Sequence, residues 1–243
     1  MEVKNRTWVE VDTGCIERNY KALCRKAGKS AVLGVVKADA YGHGAVEVAR
    51  VLQKAGCPYL AVACIDEAAA LRAAGICVPV LILGYTSPEY TDHLISMNIT
   101  QTVSSLQMAR ELSAQSVASG GVLKVHLKID SGMGRTGFAA DNIHEIAEAA
   151  ALPGLEAEGI YTHFAVADAY GDSFTGEQFS RFCGALDELK KIGITFSMRH
   201  CANSGALINY PDTYLDMVRP GIALYGHYPE EGRTGGLELQ PAM

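Results

Sequence analysis

Residues 123–137 read LKVHLKIDSGMGRTG, an alternating β run followed by G-x-G-x-x-G at Gly132, Gly134 and Gly137. Two folds compete for that pattern. Glycines after a strand, with Glu156 and Glu158 roughly 20 residues on, mimic the phosphate-binding turn of a dinucleotide fold. Against it, Lys124, His126 and Lys128 take alternate positions of the run, whereas a parallel strand buried on both faces is almost wholly apolar. The motif also lies mid-chain, and a long cation, Arg135, sits inside the loop. The nicotinamide oxidoreductase reading therefore stays as the distant alternative, and Arg135 reads as a clamp for a carboxylate or phenolate.

Outward from this run, short β-branched stretches alternate with helical patterns. Strands are expected at 32–37, 59–63, 79–83, 100–103, 123–129, 157–163, 198–202 and 215–218. Helices are expected at 13–27, 44–55, 65–74, 104–117, 141–151 and 175–192, where apolar residues recur at three- and four-residue spacing. Eight strand-helix repeats fit an α/β chain closed as a (β/α)8 TIM barrel better than an open sheet. The run TWVEVD at 7–12 stands outside the repeat as a half-exposed strand that needs a sheet elsewhere. LELQPAM at 237–243 reads as the start of an extended element. The expected division is 1–12 as a strand for a further domain, 13–233 as the barrel, and 234–243 as the start of a C-terminal β domain that this chain lacks.

Composition agrees with a packed domain: 243 residues, 49% hydrophobic and 20% charged, exclude a disordered chain. The formal net charge of −6 gives no global attraction for nucleic acid or an anionic membrane, so an anionic ligand needs a local site. The longest apolar runs, AVLGVV at 31–36 and VPVLIL at 78–83, are strand-length and far short of the ~18 residues of a membrane span. The polar N-terminus has no signal-peptide apolar core, which points to the cytoplasm. Seven scattered cysteines without a CxxC pair read as reduced thiols, with no disulfide frame and no metal site.

In β/α barrels the chemistry sits at the carboxyl ends of the strands. Lys37 ends the first strand, before Tyr41 and a Gly42-His43-Gly44 turn. A lysine there reads as a desolvated amine able to form a Schiff base, or as a side chain that simply reaches out to water. His163 ends YTHFA, either as a reacting neighbour or as a satisfied core histidine. RHCANSG offers Asn203, Ser204 and Gly205 as an anion cradle or as plain helix caps. Arg219 precedes Pro220 and Gly221, with the Gly221 and Ile222 amides at the same mouth.

Taken in order, VVKADAYGHG, KIDSGMGRTGF, YTHFA, HCANSGA and VRPGIALYG resemble the N-terminal barrel of alanine racemases, fold-type III pyridoxal-phosphate enzymes, across essentially the whole chain. The resemblance implies pyridoxal 5'-phosphate as cofactor and a small amino acid, alanine or serine, as substrate. It makes Lys37 the lysine that holds the cofactor and one of two acid/base groups. Tyr41, Ser204, Gly221 and Ile222 become phosphate contacts, with Asn203 beside them. Arg219 is placed at the pyridine nitrogen with His163 as its hydrogen-bonding neighbour, and Arg135 at the phenolic oxygen and the substrate carboxylate. Lys128 falls where many members carry a carbamate. The family is a homodimer whose second base is a tyrosine from the partner's C-terminal domain, so this chain alone is expected to racemise poorly. D-alanine supply for peptidoglycan is the implied purpose.

Two other readings share the barrel. A stand-alone pyridoxal-phosphate carrier needs no second domain. A fold-type III decarboxylase typically sets an acidic residue at the pyridine nitrogen, where this chain has Arg219.

Overall fold

The computed structural model describes residues 7–243, so the part of the expected N-terminal strand that falls on 1–6 lies outside the described residues. Ten short strands form one parallel sheet system in the order β1-β10-β9-β8-β6-β5-β4-β3-β2, with β7 paired to β6. They are β1 (Ala31–Val32), β2 (Gly34–Val35), β3 (Leu60–Val62), β4 (Val80–Ile82), β5 (Ile99–Val103), β6 (Leu123–Asp130), β7 (Phe138–Ala139), β8 (Leu155–Tyr161), β9 (Met198–His200) and β10 (Met217–Val218).

The ends of that order are the two halves of one strand. Expected whole over 32–37, the first strand is split around Leu33 and ends at Val35. Leu33 N–H donates to Val218 C=O at 2.9 Å on one side, and Gly34 N–H donates to Tyr59 C=O at 2.9 Å on the other. Consecutive residues thus bond to opposite neighbours, which closes an eight-position barrel.

The helices α1 (Thr13–Ala27), α3 (Ala45–Lys54), α4 (Ile65–Ala73), α6 (Leu106–Ser119), α7 (Ile143–Ala151) and α8 (Phe174–Lys191) fall within two residues of the expected spans at each end. Short α5 (Thr91–Ser96) was not anticipated, whereas α9 (Ser204–Asn209) is the short helix expected after Asn203. Their apolar faces pack on the outside of the strands in one large core. None of the described helices is long and apolar enough to cross a membrane. All seven cysteines are unpaired thiols.

The barrel interior is divided. One side is apolar, with Leu33, Val35, Ala61, Leu81 and Met217 clustered beside the Tyr59 ring. The other carries Thr100, Thr102, His126 and His200, all buried. This explains the alternating polar residues of 123–129: β6 turns its polar face into the barrel and Val125, Leu127 and Ile129 toward the helices.

Residues 7–12 make no strand pairing. Trp8 and Val9 are exposed, and Asp12 caps α1 by accepting from the Gly14 and Cys15 amides at 2.7 and 3.2 Å. The C-terminal segment lies across α1: Asp12 N–H donates to Ala242 C=O at 2.8 Å. Leu237, Leu239 and Ala242 are buried beneath it.

Candidate active site

The carboxyl ends of the strands surround a cavity of about 570 Å³, and all ten residues singled out in the sequence line it: Lys37, Tyr41, Lys128, Arg135, His163, Asn203, Ser204, Arg219, Gly221 and Ile222.

Lys37 opens α2 (Lys37–Tyr41), where Ala38, Asp39, Ala40 and Tyr41 all have φ between 51 and 55°. This is a left-handed turn built without glycine, a conformation that costs an L-residue roughly 1–2 kcal/mol each. It is fastened from both sides. Glu67 of α4 accepts from the Ala38 and Ala63 amides, both at 2.7 Å, and Asp39 accepts from the Ala45 amide at 2.7 Å. The turn points Lys37 into the cavity, where burial and the Arg135 and Arg219 cations lower its amine pKa against the opposing pull of Glu67.

Arg219 is almost fully buried. Its guanidinium donates to His200 Nδ1 at 2.7 Å, to Thr162 C=O at 2.8 Å and to Cys201 C=O at 3.2 Å, and lies 5.0 Å above the Tyr161 ring centroid. His163, expected as its hydrogen-bonding neighbour, is more remote, with Nδ1 3.4 Å from Nη2. The short partner is His200, an inward residue of β9 that no motif in the sequence marks, because only barrel closure brings it beside Arg219. Burial, then Arg219 and Arg135, push the His163 imidazole down to about 3, so it is neutral in the pocket.

The glycine-rich loop does not open a helix. Its amides turn back onto Asp130, which accepts from Gly132, Gly134 and Arg135 at 2.9, 3.1 and 3.1 Å. A carboxylate already fills the place a pyrophosphate would need, which removes the dinucleotide reading. The loop leads into β7 and presents the exposed Arg135 at the cavity rim. Beneath it Lys128 is buried and donates to Thr136 C=O at 2.6 Å; burial, then Arg135, lower its pKa to about 8.

At the far wall Ser204 Oγ accepts from the Gly221 and Ala223 amides at 2.9 and 3.3 Å, which leaves its own proton to donate outward. A Cβ on Gly221 would lie 2.6 Å from the Tyr41 hydroxyl, so only glycine lets phenol and backbone meet. Asn203 acts as a helix cap, accepting from the Ala206 amide at 3.0 Å. The cavity therefore has a hydroxyl-lined wall, two arginines and two primary amines, Lys37 and Lys128. By chemistry that set fits pyridoxal phosphate: donors for a dianionic phosphate, an amine for an aldehyde, and a buried arginine as partner for a ring nitrogen.

The family model of the alanine racemase N-terminal domain matches residues 11–229. The chain belongs to the alanine racemase family, as its N-terminal barrel domain. Among curated members it is 49% identical to the alanine racemase of Desulforamulus reducens, covering 99% of this chain and 66% of that protein. The alanine racemase of Carboxydothermus hydrogenoformans is 45% identical over 97% of this chain and 64% of its own length. The chain thus spans a little under two-thirds of these racemases. Among solved structures, the Clostridium difficile alanine racemase in complex with cycloserine superposes with a TM-score of 0.96 at 40% identity, covering 100% of this chain and 68% of that one. The Bacillus anthracis alanine racemase with bound L-Ala-P gives a TM-score of 0.91 at 34% identity, covering 100% and 64%.

Proposed function

We propose that this barrel carries the cofactor and substrate sites of a pyridoxal-phosphate-dependent alanine racemase. The observation that carries the reading is the pairing of a partly desolvated primary amine, Lys37, with a buried arginine, Arg219, in one cavity; no carboxylate contacts that guanidinium among the described residues. The curated relatives named alanine racemase support it, as does the L-Ala-P bound to the Bacillus anthracis protein.

Bound there, pyridoxal phosphate supplies an aldehyde for the substrate amine and an electron sink that acidifies the α-hydrogen. Ser204, Tyr41 and the Ile222 amide would hold its phosphate, while the Gly221 amide, donating to Ser204 Oγ, steadies that hydroxyl from behind. Arg219 would face the ring nitrogen as a fixed cation and disfavour its protonation; the weaker electron sink would disfavour side reactions and argues against the decarboxylase alternative. Arg135 holds the substrate carboxylate. Lys37, its amine pKa lowered by burial and the nearby Arg135 and Arg219 cations, takes the α-proton on its own face.

The second face belongs, on this reading, to a tyrosine of a partner subunit's C-terminal domain, in a cytoplasmic homodimer that acts on free amino acid. The barrel alone then exchanges the α-hydrogen of one alanine enantiomer and racemises slowly, by roughly 10²–10⁴-fold for the lost acid/base group. Titration with pyridoxal phosphate should give a visible absorbance band that Lys37→Ala abolishes. Incubation with each alanine enantiomer in D2O should then deuterate Cα of one of the two faster than its mirror image forms. No band with the parent chain would overturn the cofactor assignment, and a turnover equal to that of a full-length racemase would overturn the partner's role.

A further inference from the structure

The polar side of the barrel interior forms one continuous column. From Arg219 it runs to His200 at 2.7 Å, and from His200 Nε2 to His126 Nδ1 at 2.8 Å. His126 Nε2 then faces Glu158 Oε1 at 3.5 Å. The carboxylate is held in turn by the Tyr59 hydroxyl at 2.7 Å and the Thr100 hydroxyl at 3.1 Å, with Lys124 3.8 Å from its other oxygen. Both imidazoles are wholly buried, and the Glu158 side chain is 12% exposed.

The chemistry of the ends dictates every proton between them. A guanidinium only donates, so His200 Nδ1 must accept. His200 then carries its proton on Nε2 and donates it to His126 Nδ1, which must also accept. His126 is left with its proton on Nε2, aimed at Glu158. A positive charge on either ring would set two donors face to face, and burial disfavours such charge independently, lowering both histidines.

The backbone is shaped to hold this line. The β6–β8 register slips between Val125 and His126. Opposite the ring lies Gly159, where a Cβ would come within 2.6 Å of the His126 ring atoms. His200 is clamped from the side by Tyr161, ring centroids 4.7 Å apart and 7° from parallel. Buried polar columns are costly unless every member is satisfied, and one that ends on a pocket arginine calls for a function.

We propose that Glu158 is a positioning residue for Arg219: facing the last N–H of the column, it holds the His126 ring in line, and through it His200, the acceptor that aims the guanidinium into the cavity. What Arg219 then does rests on the function proposed above; the arrangement of protons does not. Glu158 matters because it is the sink for the last N–H. Without it the His126 Nε2–H has no partner, and the ring on which the His200 N–H rests is free to turn out of line.

The test is 15N NMR of histidine-labelled full chain without cofactor. Expected are two histidines with the neutral Nε2–H pattern and a scalar coupling across the His200 Nε2–His126 Nδ1 hydrogen bond. Glu158→Leu should leave the His126 Nε2–H without a partner, weaken or abolish that coupling as the ring turns out of line, and weaken pyridoxal-phosphate binding by roughly 10–100-fold, the scale for removing an outer partner of a ligating group. Glu158→Gln, whose amide oxygen still accepts, should restore the coupling. A cationic or Nδ1–H histidine in the parent chain, or an undiminished coupling in Glu158→Leu, overturns the proposal. If Glu158→Leu fails to fold, the parent pattern and Glu158→Gln still decide it. A parent chain with the expected histidines that binds no pyridoxal phosphate counts against the functional reading alone.

Discussion

Single side chains in the cavity are tuned chiefly by burial. Lys128, lowered to about 8 by burial and Arg135, reaches its free-amine form nearer neutrality than an ordinary lysine, and it is the free amine that attacks carbon dioxide, forming the carbamate with loss of a proton. In 13C-bicarbonate buffer, a carbamate signal should grow as pH rises toward 8 and be missing in Lys128→Arg; its absence from the parent chain at pH 8.5 would refute the modification. His163, pushed down to about 3, gives a stability term of defined sign. Between its ordinary value near 6.5 and about 3, the unfolded chain binds a proton that the folded one refuses, so stability present above about 6.5 is lost as pH falls. Removing it in His163→Gln should flatten the urea-derived stability slope over pH 4–6 by about 1.4 kcal/mol per pH unit. An unchanged slope would show that this histidine is not held neutral. At this scale the sequence disclosed the mouth of the site but little of its support. Lys37, Arg135 and Arg219 stand out as cations where strands end. Glu158 read as the acidic partner of a dinucleotide motif, because only closure of the barrel brings β8 beside β6. The hint was present in His126, an inward polar residue that needed partners.

Elements behave differently. Amphipathic helices were legible to within two residues because their period is written in apolar side chains. The left-handed turn at Ala38–Tyr41 was not, since Ala and Tyr carry no signal for positive φ. What holds it is remote: the two amides fastened by Glu67. Glu67→Ala should therefore destabilise the chain by about 1–3 kcal/mol, the cost of leaving such donors unmet, by urea or thermal unfolding. It should also weaken pyridoxal-phosphate binding, because the turn aims Lys37. Wild-type affinity in a destabilised Glu67→Ala chain would mean the turn keeps its shape without the clamp. The glycine loop shows the converse, in which a familiar spacing was met by a different structure because Asp130 captures the amides from within.

The whole molecule is tied at two places that local sequence could not reveal. One is the contact of α1 with the C-terminal segment, centred on Asn19. Its side chain donates to Leu224 and Gln240 carbonyls at 3.2 and 2.8 Å and accepts from the Gln240 amide at 2.9 Å. Asn19→Ala should cost about 2–3 kcal/mol in urea unfolding, at about 1 kcal/mol per hydrogen bond, while leaving the cavity residues in place. A loss below about 0.5 kcal/mol would show that the segment adds little to the fold. The other is the seam where Ala31 and Val32 meet Met217 and Val218. Lys37 follows one side of that seam and Arg219 the other. During synthesis the first strand emerges early and must wait for almost the entire remaining barrel before its second neighbour exists, a contact of very high sequence separation. Until then its β1 half presents open backbone to whatever else can pair with it. The pocket is thus among the last features a nascent chain completes, and the cofactor capture proposed for Lys37 would serve as a timer for the end of folding.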